Sequence, residues 1–230
     1  MASKFLLSLA LLICCNILSA QLSERNRDLF IYDLTQPQYL NAATGIDQVW
    51  YSNGHNLSLM GEWMPSRSFG FGFGLGYTSE NYHNNLRIST SQASGKEVYE
   101  LLPDSAFSSI SQNVKYLYLP LEIRIRGGKI SKDWVFRLTL GARAGVRIGS
   151  EARYETEEVK LEYQNLGDLN RFRADLYARI GYGPFSLYAS YGFTELYTGG
   201  TLTEAENGEI KQNQMSDIRP LALGISLSIQ

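Results

Sequence analysis

Large apolar residues alternate with glycine or polar residues in stretch after stretch of this chain, most sharply between positions 69 and 77. There Phe69, Phe71, Phe73, Leu75 and Tyr77 are interleaved with Gly70, Gly72, Gly74 and Gly76. Side chains leave a strand on alternate faces, so the run predicts a strand with one greasy face and one face bare of side chains. A helix would scatter the large residues around its girth and be weakened at four glycines. A bare face suits the crowded lumen of a small barrel, where glycine admits long side chains from neighbouring strands. The G-x-G pattern within the run is not followed by an apolar-periodic helix, which argues against a dinucleotide loop.

Alternation returns over residues 55–64, 115–126, 134–149, 171–182, 185–194 and 221–230. The connections are short at 65–68, 127–133 and 183–184, and long and polar at 79–113, 150–170 and 195–217. Short periplasmic turns alternating with long external loops are the habit of outer-membrane barrels. The final strand then runs towards the periplasm, as does the one beginning at His55, so an upward strand must precede it. Asn53-Gly54 carries a hairpin-turn signal, which places that first strand at residues 42–52 and brings the count to eight. Residues 21–41 become a periplasmic tail. The alternation at Leu86, Ile88 and Thr90, and at Val159, Leu161 and Tyr163, is read as hairpin extensions above the membrane rather than further spans. Trp63, Phe69, Trp134, Tyr182 and Phe185 lie on the apolar face beside short turns. Tyr77, Phe172, Tyr191 and Phe193 lie on it near the long loops, so two aromatic girdles are expected. The expected fold is all-β: a transmembrane, antiparallel, up-and-down barrel of eight strands over residues 42–230, with long external loops.

The ends of the chain agree with that destination. Lys4 followed by an apolar stretch to Ile17, with Ser19-Ala20 before Gln21, reads as a signal peptide over residues 1–20. A lipoprotein anchor at Cys14 or Cys15 is disfavoured by bulky Ile13 and by the apolar sequence that continues beyond both cysteines. Both cysteines fall in the removed segment, which argues against a disulfide scaffold, a thiolate metal site and a cysteine nucleophile. With Lys4 gone, 20 basic residues face 23 acidic ones, a net charge of −3 that argues against a nucleic-acid partner.

Several segments resemble the small outer-membrane β-barrel domain family of Bacteroidota-type Gram-negative bacteria, which includes porin-like proteins. They are the Phe-Gly run ending Gly76-Tyr77-Thr78, the stretch from Tyr118 to Ile123, Gly141-Ala142-Arg143-Ala144-Gly145, and the closing run from Arg219 to Gly224. The resemblance covers the chain from about residue 55 onwards and implies a bacterial outer-membrane location; some members of that family are linked to secretion machinery. Gly224, Leu227 and Ile229 also resemble the terminal signal read by the barrel assembly machinery, although this chain ends Ile229-Gln230 where many such signals end in an aromatic residue.

The inward faces of the expected strands carry Glu62, Glu122, Arg124, Arg126, Arg137, Arg143, Arg147, Arg171, Arg173, Asp175 and Arg179. Glu62, Glu122, Arg124, Arg137, Arg143, Arg147, Asp175 and Arg179 are the candidate lumen charge network. Buried charges persist only when paired or hydrated. An eight-stranded barrel is just wide enough for side chains to fill, so one expectation is a plug completed by Tyr116, Tyr118, Tyr177 and Tyr188. The alternative is a narrow anion-preferring passage lined by arginine. Pro120, on the inward face, removes a ladder donor and predicts a β-bulge there. His55 and His83 are the candidate histidine bases or metal ligands, and neither sits in an evident Ser/His/Asp grouping. No catalytic residue, metal or cofactor is expected. The expected partners are outer-membrane lipid, the barrel assembly machinery during biogenesis, and a protein partner at the external loops, which are rich in Ser, Asn, Glu and Tyr. The expected role is a structural or interaction scaffold, with a channel or a component of a secretion assembly as alternatives.

Overall fold

The Phe-Gly run forms the lower part of a strand that continues to His83. In the computed structural model, which describes residues 29–66, 68–90, 97–103, 106–127, 135–199, 201–206, 209–215 and 217–229, it is the third of thirteen strands. In chain order these are β1 (Phe30–Leu40), β2 (Asn53–Trp63), β3 (Phe69–His83), β4 (Leu86–Thr90), β5 (Glu97–Leu101), β6 (Ser109–Gly127) and β7 (Phe136–Glu155). There follow β8 (Lys160–Gln164), β9 (Phe172–Tyr182), β10 (Phe185–Gly192), β11 (Thr201–Glu206), β12 (Glu209–Gln214) and β13 (Arg219–Ile229).

Eight of them pair in the order β6-β3-β2-β1-β13-β10-β9-β7, and β6 pairs with β7 to close the barrel. Every pairing around the ring is antiparallel. The strands are tilted, as closure requires. A row of paired residues that starts beside the periplasmic turn at Trp63 runs through Phe71, Ile123, Leu140, Ala178, Ala189 and Leu223 to Gln36, well up β1. Outward positions are apolar and exposed, with Trp63, Phe185 and Tyr182 beside the short turns and Phe172 and Phe193 near the loops. Inward positions hold the buried charges. Polar inside and apolar outside is the reverse of a soluble sheet and suits a lipid surround. The sequence-expected signal peptide and Trp134 lie outside the described residues.

The first strand differs from expectation. It is Phe30–Leu40, not residues 42–52, so most of the segment read as a periplasmic tail belongs to the barrel wall. β1 pairs along its full length with β13, from Phe30↔Ile229 to Leu40↔Arg219, but with β2 only as far as Thr35↔Gly54. Pro37, which has no N–H for a ladder, lies beyond that last β2 pair. There the Gln48 side chain stands in for a strand, accepting from the Tyr39 N–H at 2.8 Å and donating to the Pro37 carbonyl at 2.7 Å. Asn41, with φ 55°, turns the chain at the end of β1. Asn53-Gly54 is not a turn but the start of β2. Glycine at 54 allows close approach, because a side chain would strike Thr35 Oγ1.

The bulge expected at Pro120 is also elsewhere. The β3–β6 ladder is interrupted opposite Pro120 without a change of register, resuming at Gly76↔Tyr118. The register shift lies between Lys115 and Tyr116, against β7.

Above the barrel, β4, β5, β11 and β12 form a separate four-stranded sheet in the order β12-β11-β5-β4. β11 and β5 come from different long loops and pair in parallel at Leu202↔Tyr99 and Thr203↔Glu100. The alternation at Leu86 to Thr90 therefore belongs to this cap rather than to an extended barrel hairpin. β8, by contrast, extends the barrel sheet against the top of β7. The principal hydrophobic core lies here, where Leu86, Ile88, Tyr99, Leu166, Leu169, Leu196, Tyr197, Leu202, Met215 and Ile218 pack together. Ile46 joins it from the β1–β2 connection, and Tyr39, Tyr82, Val114, Tyr116 and Ala152 rise into it from the barrel strands.

Candidate functional site: an ion-paired lumen beneath a packed cap

The alternation that turns apolar residues towards lipid turns their neighbours into the lumen, where they form a stack of ion pairs. Near the periplasmic end, Glu62 of β2 accepts from Arg126 at 2.8 Å and lies 3.5 Å from Arg124. Arg124 donates to Glu122, both Nε and Nη2 lying 2.6 Å from Oε2. The glycine at 72 makes room for it: a methyl group there would sit 2.8 Å from Arg124 Nε. The other oxygen of Glu122 accepts from Arg179 at 2.7 Å and from the Tyr177 hydroxyl at 2.8 Å.

Arg179 links the layers. It grips Asp33 of β1 with two parallel hydrogen bonds of 2.9 and 2.8 Å, the bidentate geometry that makes such pairs strong. Its guanidinium lies 4.8 Å from the Tyr177 ring and 5.3 Å from the Tyr188 ring. Higher up, Asp175 accepts from Arg143 at 2.6 Å and from Arg173 at 2.7 Å. Arg173 also donates to both oxygens of Glu80, which accepts in addition from the Tyr82 hydroxyl at 2.7 Å. Arg143 lies over the Tyr118 ring at 4.6 Å.

Of the eight sequence-expected residues, the structure brings Glu62, Glu122, Arg124, Arg143, Asp175 and Arg179 into this network. Arg137 is buried at the periplasmic end, and Arg147 is half-buried near the top, next to Arg171, whose carbonyl its N–H meets at 2.8 Å. Arg171, expected to face inward, precedes β9 and is exposed. Asp33 and Glu80, both 1 % exposed, were missed. They lay in the segments read as tail and external loop. The available signal was the charge count itself: eight inward arginines against three carboxylates is an imbalance a buried lumen does not sustain. With Asp33 and Glu80 added and Arg171 outside, the count becomes seven inward arginines to five carboxylates, and five of those arginines, Arg124, Arg126, Arg143, Arg173 and Arg179, are ion-paired with Asp33, Glu62, Glu80, Glu122 and Asp175.

The histidines do not converge. His55 faces outward on β2, where its Nδ1 lies 2.6 Å from the Tyr32 hydroxyl. His83 ends β3 and packs 4.8 Å from the Tyr51 ring, and burial lowers its pKa. Among the described residues no group of three or more His, Cys, Asp or Glu side chains could hold a metal.

The cap above the lumen ties the long loops together. Glu97 of β5 accepts from the Gly167 and Asp168 N–H groups of the β8–β9 connection. Tyr99 donates to Glu97 at 2.8 Å and to Asp168 at 3.3 Å. Asn85 holds the β1–β2 connection, accepting from the Asp47 N–H and donating to the Gly45 carbonyl, both at 2.9 Å. Burial raises the pKa of Tyr99 and of Tyr197 well above the ordinary tyrosine value of 10.0.

A closed eight-stranded barrel with an apolar exterior and a charge-filled interior is an integral outer-membrane β-barrel. The sequence matches the outer membrane protein beta-barrel domain family over residues 30–198, and the chain belongs to that family. It is therefore a protein of the bacterial outer membrane. No curated protein sequence matches it. Among solved structures the chain is similar to Ail, the attachment invasion locus protein of Yersinia pestis. The identity is 12 % and the TM-score 0.33, covering 87 % of this chain and 96 % of that one.

Proposed function

We propose that this protein is a non-conducting, non-enzymatic scaffold that anchors a rigid extracellular platform in the outer membrane. The observation that carries this reading is the cap. Its long loops share one apolar core and are joined by the parallel β5–β11 pairing. Flexible loops need no such core, whereas a recognition surface gains affinity from being ordered before its partner arrives. The partner is a protein or surface met from outside the cell. The lumen supports the scaffold reading because five of its arginines are each met by a carboxylate, which weakens the positive field an anion passage requires. The degenerate strand motifs favour a member of the Bacteroidota type, and the terminal strand with Gly224, Leu227 and Ile229 serves the barrel assembly machinery.

The test is ion conductance of folded, purified protein in a planar bilayer, combined with exchange of the cap loops. The expected result is no stable conductance steps, and loss of partner binding when the loops are exchanged in a barrel that still folds. Salt-dependent, anion-selective steps that weaken or reverse with Arg143→Glu would overturn the scaffold in favour of a channel.

A further inference from the structure

The outward faces of β3, β6 and β7 change character within one register step. The pair Tyr77↔Leu117 is the last aromatic–apolar pair, and the next outward pair is Ser79↔Lys115, followed by Asn81↔Asn113. Ser111↔Arg153 and Asn113↔Glu151 continue the polar face across to β7. These residues line a hollow of about 230 Å³ on the outside of the barrel, immediately above the lipid-facing band. Its walls are mostly hydroxyls and amides: Asn113 donates to Ser79 at 3.0 Å, and Ser111 and Asn81 complete the lining. Arg153 is engaged by Glu151 and lies 3.8 Å from Glu162. The Lys115 ammonium makes no ion pair or hydrogen bond with any of the described residues. The register shift opposite Lys115 and Tyr116 falls at this level, where the extra residue Ile148 re-aims β7.

A polar, hydroxyl-rich hollow with one uncommitted cation, at the height where acyl chains give way to headgroups, matches a sugar bearing phosphate. The hydroxyls and amides serve the sugar oxygens, and the ammonium serves the anion. We propose that this hollow binds the phosphorylated saccharide headgroup of an outer-leaflet lipid, seating the barrel in that leaflet through β3, β6 and β7.

The test uses the full mature chain in nanodiscs of phosphatidylethanolamine and phosphatidylglycerol, with and without lipid A, followed by native mass spectrometry and thermal unfolding. The expected result is lipid A retained by wild type and its affinity reduced about tenfold or more by Lys115→Glu, the scale of one lost charge-assisted hydrogen bond. Ser111→Leu, which fills the hollow without changing charge, should act alike. Lys160→Glu, the same charge change on β8, should leave retention unchanged. Heat-modifiable gel mobility verifies that each variant is folded. Equal loss for Lys115→Glu and Lys160→Glu, or no preference for lipid A over phosphatidylglycerol, overturns the proposal. Free glucosamine phosphate supplies the other source of the same chemistry. Competition by it at the concentration of lipid A would show a soluble-saccharide site and overturn the lipid assignment.

Discussion

Asp33→Asn is the most informative single substitution in the barrel. Asp33 is fully enclosed and takes two hydrogen bonds from Arg179, with Asn56 at 3.5 Å from its second oxygen. The substitution keeps the shape and removes the charge. Arg179 then retains Glu122 alone, and a buried guanidinium is left with half its anionic partners. Removing one member of a buried ion pair costs about 3–5 kcal/mol when nothing replaces it. The remaining Glu122 contact places the expected loss near the lower end, at about 3 kcal/mol. The assay is urea unfolding of the refolded barrel in lipid vesicles, followed by tryptophan fluorescence and heat-modifiable gel mobility. Adding Arg179→Met removes the stranded charge, so the double variant should recover part of the loss rather than sum the two defects. A loss below about 0.5 kcal/mol for Asp33→Asn would refute the reasoning, since that is the scale of an exposed pair. It would mean that water reaches Arg179 and that the lumen is hydrated rather than filled.

Gly72→Ala should destabilise the barrel by about 1–3 kcal/mol in the same assay. The new methyl group meets Arg124, whose head is pinned by Glu122 and Glu62, whereas Gly199→Ala meets open space and should be silent. Leu202→Asp places a charge in the cap core and should open the cap to protease while leaving the barrel folded on gels. Alkaline titration should loosen the cap too. Tyr99 and Tyr197 have raised pKa values, so the folded state is fully stable below the ordinary tyrosine value of 10.0 and loses stability as pH rises beyond it. Tyrosinate absorbance that lags model tyrosine and then appears together with loss of near-ultraviolet dichroism would show this; ionisation at 10.0 without structural change would refute it.

Where burial faces differ sharply in polarity, the barrel could be read directly from the chain. β3, β6, β7, β9, β10 and β13 each set apolar residues on one face against mostly glycine, charged, tyrosine or small polar residues on the other, and that alternation makes them readable as strands. β1 defeated the same reasoning. Its outward face mixes Phe30, Tyr32 and Leu34 with Gln36 and Gln38, and its inward face mixes Ile31 and Asp33 with Pro37. The upper part of β3 failed for a related reason: above Tyr77 both of its faces are polar, so period 2 leaves no trace in composition. The cap was illegible for another cause. β5 and β11 lie about a hundred residues apart in the chain and pair only because the barrel brings their loops together. The carboxylates Asp33 and Glu80 were thus hidden by strand assignment, not by chemistry.

The seam between β1 and β13 joins the first and last strands of the barrel, and β1 carries Asp33 to it. Until that seam zips, Arg179 faces the lumen with Glu122 as its only counter-ion. Closing the ring and completing the Arg179 pair are therefore one event. An open sheet would leave Arg179 half-matched and two strand edges unpaired, both costly in lipid. Asp33 lies on the first strand of the barrel and its partner Arg179 on the ninth of the thirteen strands, so the pair is complete only across the seam with β13.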